Sequence, residues 1–236
     1  MLRAITIKYR YLNPVIILIG FLGIGVLSSC TDFIADIDKN EDWETLESNK
    51  IVLHYRPQNF SASPSPTLEQ AQEILDNQSF YYRTIQDSID KNYGDKVLIY
   101  LYNQDEAKAA IGTDGGGHSI PKLNTFYYTF LYERPNFTDK YGRSNPAVGS
   151  HELVHVLTHR TLGYPGTKLM SEGYANWLDG SYSYYSIIDI IQSYKDRSPE
   201  KIMTPDQLLN ESTDEEAIYY PNCGVFVGFL VNKYGI

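Results

Sequence analysis

The sequence predicts an α+β fold built around one core, and two observations support this prediction. The chain has 236 residues, of which 42% are hydrophobic and 21% are charged, enough for one domain with a sizeable core. The β-rich stretches all lie before residue 133, and patterns typical of helices follow them. Separate runs of strands and helices favour an α+β fold.

The first 29 residues are predicted to be a signal peptide outside the fold. Basic residues precede the run VIILIGFLGIGVL, which is too short to span a membrane comfortably. The run ends in LSSC (27–30), which resembles the lipobox of bacterial lipoproteins. This resemblance implies cleavage before Cys30, a lipid on its thiol, and a place in the bacterial cell envelope, periplasmic or on the cell surface. A plain N-terminal membrane anchor is the alternative.

Residues 30–48 are predicted to be an acidic, solvated spacer, because TDFIADIDKNEDWE carries many carboxylates. The folded domain is then expected to span 49–236. A core helix is predicted at its very end, so further chain is expected to follow.

Three strands and two helices are predicted in the first half of this domain. Strands are expected at 51–57, 96–102 and 123–132 from their alternating or β-rich apolar residues. Thr67 is the expected cap of a helix running to about Asp90, and a shorter helix is expected to end at Gly112. The glycine-rich stretch TDGGGHS (113–119) is predicted to be a loop, or a place where another backbone approaches closely.

Four helices are predicted in the second half. Asn145 is the expected cap of the first, with Pro146 at its first position and Gly163 at its end. SEGYANWL and SIIDIIQSY are predicted to form two more. Pro221 is expected to open the last helix, whose core stripe is predicted to contain Phe226, Val227, Leu230, Val231 and Tyr234.

Charge and cysteine content limit the partners. The formal net charge of −9 repels phosphate backbones, so nucleic acid is excluded as an expected partner. If Cys30 carries a lipid, Cys223 has no partner for an intrachain disulfide and is expected to be a small buried hydrophobe.

The 21 tyrosines are predicted to serve mainly in packing, with an aromatic binding groove as the alternative. No signal for an oligomer is present.

The stretch HELVH (151–155) predicts a catalytic zinc site. His151 and His155, four residues apart on a helix, place their imidazoles one above the other, where both can bind one metal ion. Glu152 lies one step round the helix, where it can take a proton from the water that zinc activates. One Zn²⁺ is therefore the expected cofactor.

Two residues compete for the role of third zinc ligand. His159 lies one further turn along the same helix, about 6 Å away along the axis, which strains its sharing of one ion. Glu172 lies 17 residues after His155 on a separate predicted helix, beyond a loop long enough to reverse the chain. A carboxylate completes a two-histidine, one-glutamate site of the kind used for catalysis. Glu172 is therefore favoured, and His159 is assigned a structural or supporting role.

The chain resembles the gluzincin metallopeptidases, thermolysin-like or peptidase MA-like, over roughly residues 95–235. The resemblance rests on HELVH, EGYANW (172–177) and YYPNCGVFVGFLVNKYG (219–235). It implies a zincin-like catalytic domain, in which a small mixed sheet precedes the motif helix and the C-terminal helices. It also implies an enzyme that hydrolyses peptide bonds.

The resemblance assigns roles to single residues. It makes His151, His155 and Glu172 the zinc ligands and Glu152 the general base. Tyr220 is implied to stabilise the oxyanion, with Tyr219 as the fallback. Asn176 occupies the position where an aspartate often supports a zinc histidine, and His118 is a candidate for lining the substrate groove.

Peptides or proteins are the expected substrates, and the membrane is an expected partner through the lipid on Cys30. Endopeptidase and aminopeptidase activities both stay open. The alternative function is a non-catalytic surface lipoprotein that keeps a zincin-like fold, or one that binds glycans or peptides through its tyrosines.

Overall fold

The computed structural model describes residues 42–57, 63–112, 115–133, 136–144, 146–211 and 213–235. The predicted signal peptide, the predicted lipid site Cys30 and the expected cap Asn145 lie outside the described residues.

A five-stranded mixed sheet forms the first half of the domain. Its strands are β1 (Glu44–Glu47), β2 (Ile51–Tyr55), β3 (Val97–Tyr102), β4 (Gly117–Ile120) and β5 (Thr125–Thr129). The spatial order is β1-β2-β3-β5-β4, with parallel pairing in the centre and an antiparallel strand at each edge. The three predicted strands are the three central ones, and the α+β prediction is confirmed.

Seven α-helices and one hairpin complete the described part of the chain. The helices are α1 (Leu68–Ile89), α2 (Gln104–Ile111), α3 (His151–Thr161), α4 (Lys168–Asp179), α5 (Ile187–Arg197), α6 (Pro205–Leu209) and α7 (Glu216–Tyr234). The hairpin joins β6 (Ser181–Tyr182) to β7 (Tyr185–Ser186). Short 3-10 turns occupy Pro121–Leu123 and Pro199–Lys201. None of the helices in the described ranges combines the length and the apolar character needed to cross a membrane.

The main core lies between the sheet and helices α1 and α3. Alternate residues of the central strands point into it, because side chains alternate between the two faces of a sheet. The side of α3 opposite its histidines is apolar and fully buried, as predicted. Core members include Ile51, Leu53, Tyr55, Val97, Ile99, Leu101, Leu153, Val156 and Leu157.

The predicted helix ends in the first half are confirmed. Thr67 caps α1 in a reciprocal capping box with Gln70, and the helix runs to Ile89. Asn103 caps α2 in the same way, and Gly112 ends it with a φ of +75°. Capping side chains before both helices and a left-handed glycine after α2 set these boundaries, so the boundaries could be recognised from the sequence.

The predicted spacer extended too far into the domain. Residues 44–47 form β1, and the compact unit starts at Trp43. The Trp43 ring packs edge-on against Tyr100, with ring centroids 5.6 Å apart, and the Arg56 guanidinium lies 4.0 Å from its centroid. These contacts hold the segment in the folded domain, although its acidic composition predicted a solvated spacer.

The prediction of an irregular loop at 113–119 is wrong for its second half. Residues from Gly117 onward form the edge strand β4, paired antiparallel with β5. A glycine by itself weakens a strand, but here the hydrogen bonds to β5 stabilise β4.

The start of α3 is also corrected: the helix begins at His151 after Ser150, so Pro146 lies outside it.

The last helix begins earlier than predicted. α7 starts at Glu216, and Pro221 lies inside it rather than at its first position. Proline donates no backbone hydrogen bond to the carbonyl four residues back. That carbonyl, of Ala217, instead accepts a 2.8 Å hydrogen bond from the Tyr194 hydroxyl.

The predicted core stripe of α7 is only partly correct. Val227 is fully buried, whereas Tyr234 is exposed and Phe226, Leu230 and Val231 are half-buried. The face of α7 that packs against α4 contains Gly224 and Gly228. Their lack of side chains lets the two helices approach closely. Cys223 is fully buried as expected, and burial raises the pKa of its thiol to about 12.

Candidate metal centre

The first turn of α3 is held in place from two sides. The buried Asp179 carboxylate at the end of α4 accepts two 2.8 Å hydrogen bonds, from the backbone N–H and the hydroxyl of Ser150. The Gln78 amide of α1 donates 3.0 Å hydrogen bonds to the carbonyls of Val148 and Gly149. The chain entering α3 is therefore fixed to both neighbouring helices just before His151.

Close packing of α4 against α7 sets the position of Glu172. A methyl group at Gly224 would lie 2.8 Å from Cβ of Asn176, and one at Gly228 would lie 2.6 Å from the Trp177 ring. Val227 presses in the same way against Gly173, the residue after Glu172. Because larger side chains would separate the helices, these glycines let α4 lie where Glu172 faces α3.

Three of the predicted site residues meet at one point. Nε2 of His151 lies 3.2 Å from Nε2 of His155. Oε2 of Glu172 lies 3.2 Å from Nε2 of His151 and 3.5 Å from Nε2 of His155. The two helices thus bring two imidazole nitrogens and one carboxylate oxygen into a compact triangle, called here the triad.

The triad has the dimensions of one face of a zinc tetrahedron. Zinc bonds to nitrogen and oxygen ligands are about 2.0–2.2 Å long, so neighbouring ligand atoms of a tetrahedral site lie about 3.3–3.5 Å apart. The three observed separations, 3.2, 3.2 and 3.5 Å, agree with that spacing. Both the donor types and the geometry fit a zinc ion with a fourth position left open.

The triad is strongly coupled electrostatically. Burial works against a charged His151, but its hydrogen bond to Glu172 and the nearby carboxylates of Glu152 and Asp179 raise its pKa to about 9. Burial also opposes the Glu172 carboxylate, yet hydrogen bonds from both histidines hold its pKa well below the usual range.

Glu152 is buried between α3 and the edge strand. A methyl group at Gly117 would lie 2.6 Å from its Cγ and 2.5 Å from Cδ2 of Tyr128. Gly117 therefore leaves the space that the Glu152 side chain occupies. Glu152 lines the same cleft as the triad, as expected for a base acting beside the metal.

A cleft of about 710 Å³ opens above the triad. Edge strand β4 supplies one wall, and the β6–β7 hairpin and the start of α7 also line it. Members of these walls include His118, Ser119, Tyr182, Tyr184, Glu216 and Tyr220. His118, the candidate for the groove, lies in this wall.

Tyr220 lies at the site and Tyr219 does not. The Tyr220 ring stacks on His151, with ring centroids 6.3 Å apart, and its hydroxyl lies 3.3 Å from Glu216. Burial and the carboxylates of Glu172 and Glu216 raise the pKa of Tyr220 far above its ordinary value, so its phenol keeps its proton. Tyr219 is buried in a separate small core and donates to the carbonyl of Leu208.

Asn176 does not make the predicted bond to a zinc histidine. Its amide donates to the carbonyl of Glu172 at 2.8 Å, and its buried Oδ1 has no hydrogen-bond partner among the described residues. Ser171 takes a supporting place instead: its hydroxyl lies 3.4 Å from Nδ1 of His155 and 3.3 Å from Nε2 of His159. His159 is therefore adjacent to the triad without joining it.

The sequence prediction missed Ser171 and Asp179. Ser171 directly precedes the favoured ligand Glu172, and that adjacency was the available signal. Asp179 lies seven residues after Glu172, two helical turns along α4, so it shares the same face. That spacing was the available signal for Asp179.

No model of a known protein family matches the sequence. A search of the curated proteins also finds no match.

Proposed function

We propose that this protein is a zinc-dependent metallopeptidase with a zincin fold of the gluzincin type. His151, His155 and Glu172 would hold one zinc ion. The observation that supports this best is the triad itself, whose three separations match one face of a zinc tetrahedron. When bound, the zinc would lower the pKa of a water molecule to about 7 and polarise the carbonyl of the peptide bond.

Two residues of the protein then take separate roles: Glu152 transfers protons, and Tyr220 stabilises the negative charge on the carbonyl oxygen. Glu152 accepts the proton of the attacking water and later passes it to the leaving amine. The protonated phenol of Tyr220 donates a hydrogen bond to the carbonyl oxygen as negative charge develops there. To do so it must turn away from Glu216, which its hydroxyl contacts at 3.3 Å.

The edge strand provides a place for the substrate backbone. Among the described residues, β4 has only β5 as a hydrogen-bonded neighbour in the sheet, and it borders the cleft beside Glu152. An extended peptide can pair with such an edge while its scissile bond lies over the triad. This mode of binding suits peptides and unfolded segments of proteins.

Lipid attachment at Cys30 is part of the same proposal. The LSSC stretch supports it, and it would anchor the catalytic domain in the bacterial cell envelope, outside the cytoplasm. The peptidase would then act at neutral pH on peptides reaching that membrane.

The function is tested with Glu152→Gln, which keeps the side-chain volume and removes the base. We expect the zinc-loaded parent to hydrolyse peptides and the variant to lose about 100-fold or more of kcat with its zinc content unchanged. Peptide cleavage and metal content are measured on the same preparations. A variant with parental turnover, or a zinc-loaded parent that cleaves no peptide, would contradict the proposal.

A further inference from the structure

The turn of the β6–β7 hairpin has an unusual backbone. Two residues, Ser183 and Tyr184, connect the paired strands, and their φ values are +49° and +67°. Positive φ at both positions is the pattern of a type I′ turn, in which Asn-Gly is a favoured pair. A bulky side chain such as tyrosine rarely adopts this conformation, and holding it there costs free energy. The turn by itself therefore gives no reason for a tyrosine at position 184.

The Tyr184 side chain has partners inside the cleft above the triad. The residue lines that cleft and is half-buried, although it lies in the turn of a hairpin. Its ring stands edge-on to Phe137, with ring centroids 6.5 Å apart. Its hydroxyl shares a hydrogen bond with the phenol of Tyr128, on strand β5. The strained turn thus holds the tyrosine where it contacts the opposite wall of the cleft.

Tyr128 connects Tyr184 to the proposed base. A methyl group at Gly117 would lie 2.5 Å from Cδ2 of Tyr128 and 2.6 Å from Cγ of Glu152, so the tyrosine ring and the Glu152 side chain are close neighbours. Burial, the neighbouring Tyr184 and the carboxylates of Asp179 and Glu152 raise the pKa of Tyr128 well above its ordinary value. The Tyr128 phenol therefore keeps its proton and can hold its hydrogen bond to Tyr184.

We propose that Tyr184 is a positioning residue for Glu152 and that it acts through Tyr128. The inference rests on the proposed peptidase function and adds a residue to it. While Tyr184 holds the Tyr128 phenol, the Tyr128 ring keeps one orientation and confines the Glu152 side chain beside it. Without that hydrogen bond the ring can turn, and the carboxylate spends less time in the geometry that the reaction needs. This role explains why a strained tyrosine occupies the turn.

The test removes single hydroxyl groups. Tyr184→Phe and Tyr128→Phe each keep the ring and remove one phenol, and the double variant removes both. Tyr185→Phe is the matched control, because Tyr185 belongs to the same hairpin, is 59% exposed and does not line the cleft. A peptide cleaved by the zinc-loaded parent is first found in a pool of random-sequence synthetic peptides. The values of kcat and KM for that peptide, and the zinc content, are then measured for the parent and each variant.

We expect Tyr184→Phe and Tyr128→Phe each to lower kcat about tenfold, with KM and zinc content unchanged, because the base is misplaced while substrate and metal binding stay intact. The double variant should lose no more than either single variant, since both hydroxyl groups act through one hydrogen bond. Tyr185→Phe should keep the parental kcat. A residue that only supports folding would not give this pattern.

Parental kcat in Tyr184→Phe would overturn the inference. A raised KM with unchanged kcat would also overturn it, because Tyr184 would then be a substrate contact. A loss of about a hundredfold in the double variant would show that the two hydroxyl groups act independently, which contradicts action through Tyr128. A zinc-loaded parent that cleaves nothing in the pool would instead remove the peptidase function, and this inference with it.

Discussion

At the scale of single residues, the absence of a side chain at Gly117 leaves room for the proposed base Glu152. The φ of Gly117 is not in the left-handed region, so its backbone alone does not require glycine. The requirement is clearance, because Tyr128 and Glu152 fill the space where a side chain would begin. An added methyl group must move one of them, and Glu152 carries the carboxylate proposed as the base.

Gly117→Ala is expected to lower kcat for peptide hydrolysis by about tenfold to a hundredfold without changing zinc content, since a misplaced base leaves the ligands intact. Steady-state kinetics and metal analysis on one preparation measure both quantities. Gly94→Ala is the control, because a methyl group there meets nothing within 4 Å and Gly94 does not line the cleft. Full turnover in Gly117→Ala would show that the base does not depend on this contact.

The triad could be predicted from the sequence because two of its members lie on one helix. A four-residue spacing stacks His151 and His155 whatever surrounds the helix. The partner of Asn176 could not be predicted, because its amide bonds the Glu172 carbonyl of its own helix rather than a neighbouring histidine. The contact of Ser171 with both His155 and His159 likewise appears only once the two helices meet.

At the scale of secondary-structure elements, α7 is continuous through a proline. Pro221 leaves the carbonyl of Ala217 without its usual helical donor, and the Tyr194 hydroxyl of α5 supplies a replacement. The bond ties α5 to the part of α7 that carries Tyr220. The sequence suggested that Pro221 opens the helix because proline is favoured at a first helical position. A donor from a helix distant in sequence could not be foreseen.

A double-mutant cycle tests this substitution of donors. Pro221→Ala restores the backbone N–H and is expected to raise the free energy of unfolding by about 1–3 kcal/mol. Tyr194→Phe is expected to lower it by about 0.5–1 kcal/mol in the parent and by less in the Pro221→Ala background, because the carbonyl then has its helical donor. Urea unfolding measures all four proteins. Strictly additive effects would show that the tyrosine does not replace the missing bond.

Edge strands were harder to predict than central ones. The central strands carry continuous apolar or alternating patterns, whereas β1 is acidic and β4 contains glycine. Within the described part of the chain, each edge strand has one partner in the sheet, and its own composition does not favour β structure. Their formation depends on pairing with a strand already present in the sheet.

At the scale of the whole molecule, the described domain begins 13 residues after Cys30. The proposed lipid on Cys30 is tested by metabolic labelling with an alkyne-bearing palmitate in bacteria that produce the full chain. We expect labelled protein from the parent and from Cys223→Ser, and none from Cys30→Ser. Label retained in Cys30→Ser would contradict lipidation at Cys30, and an unlabelled parent in the membrane fraction would favour the plain anchor.

The order of strands and helices along the chain predicted the α+β class, but it did not predict the order of strands in the sheet. Whether β5 pairs with β3 or with β1 is decided by crossovers and by helix packing, which are properties of the whole chain. The same packing brings α4 across α3 and so creates the triad. The triad is thus a consequence of tertiary structure, although its three members could be picked out from the sequence.

The central claim is that the triad binds zinc, and metal content tests it most directly. The full chain is purified in detergent, loaded with zinc, dialysed, and compared with Glu172→Ala and with the surface control Glu200→Ala. We expect about one zinc per chain in the parent and in Glu200→Ala, and strongly reduced zinc in Glu172→Ala, because two histidines remain where three ligands are needed. A folded parent without zinc, or a Glu172→Ala variant that holds as much zinc as the parent, would contradict the account.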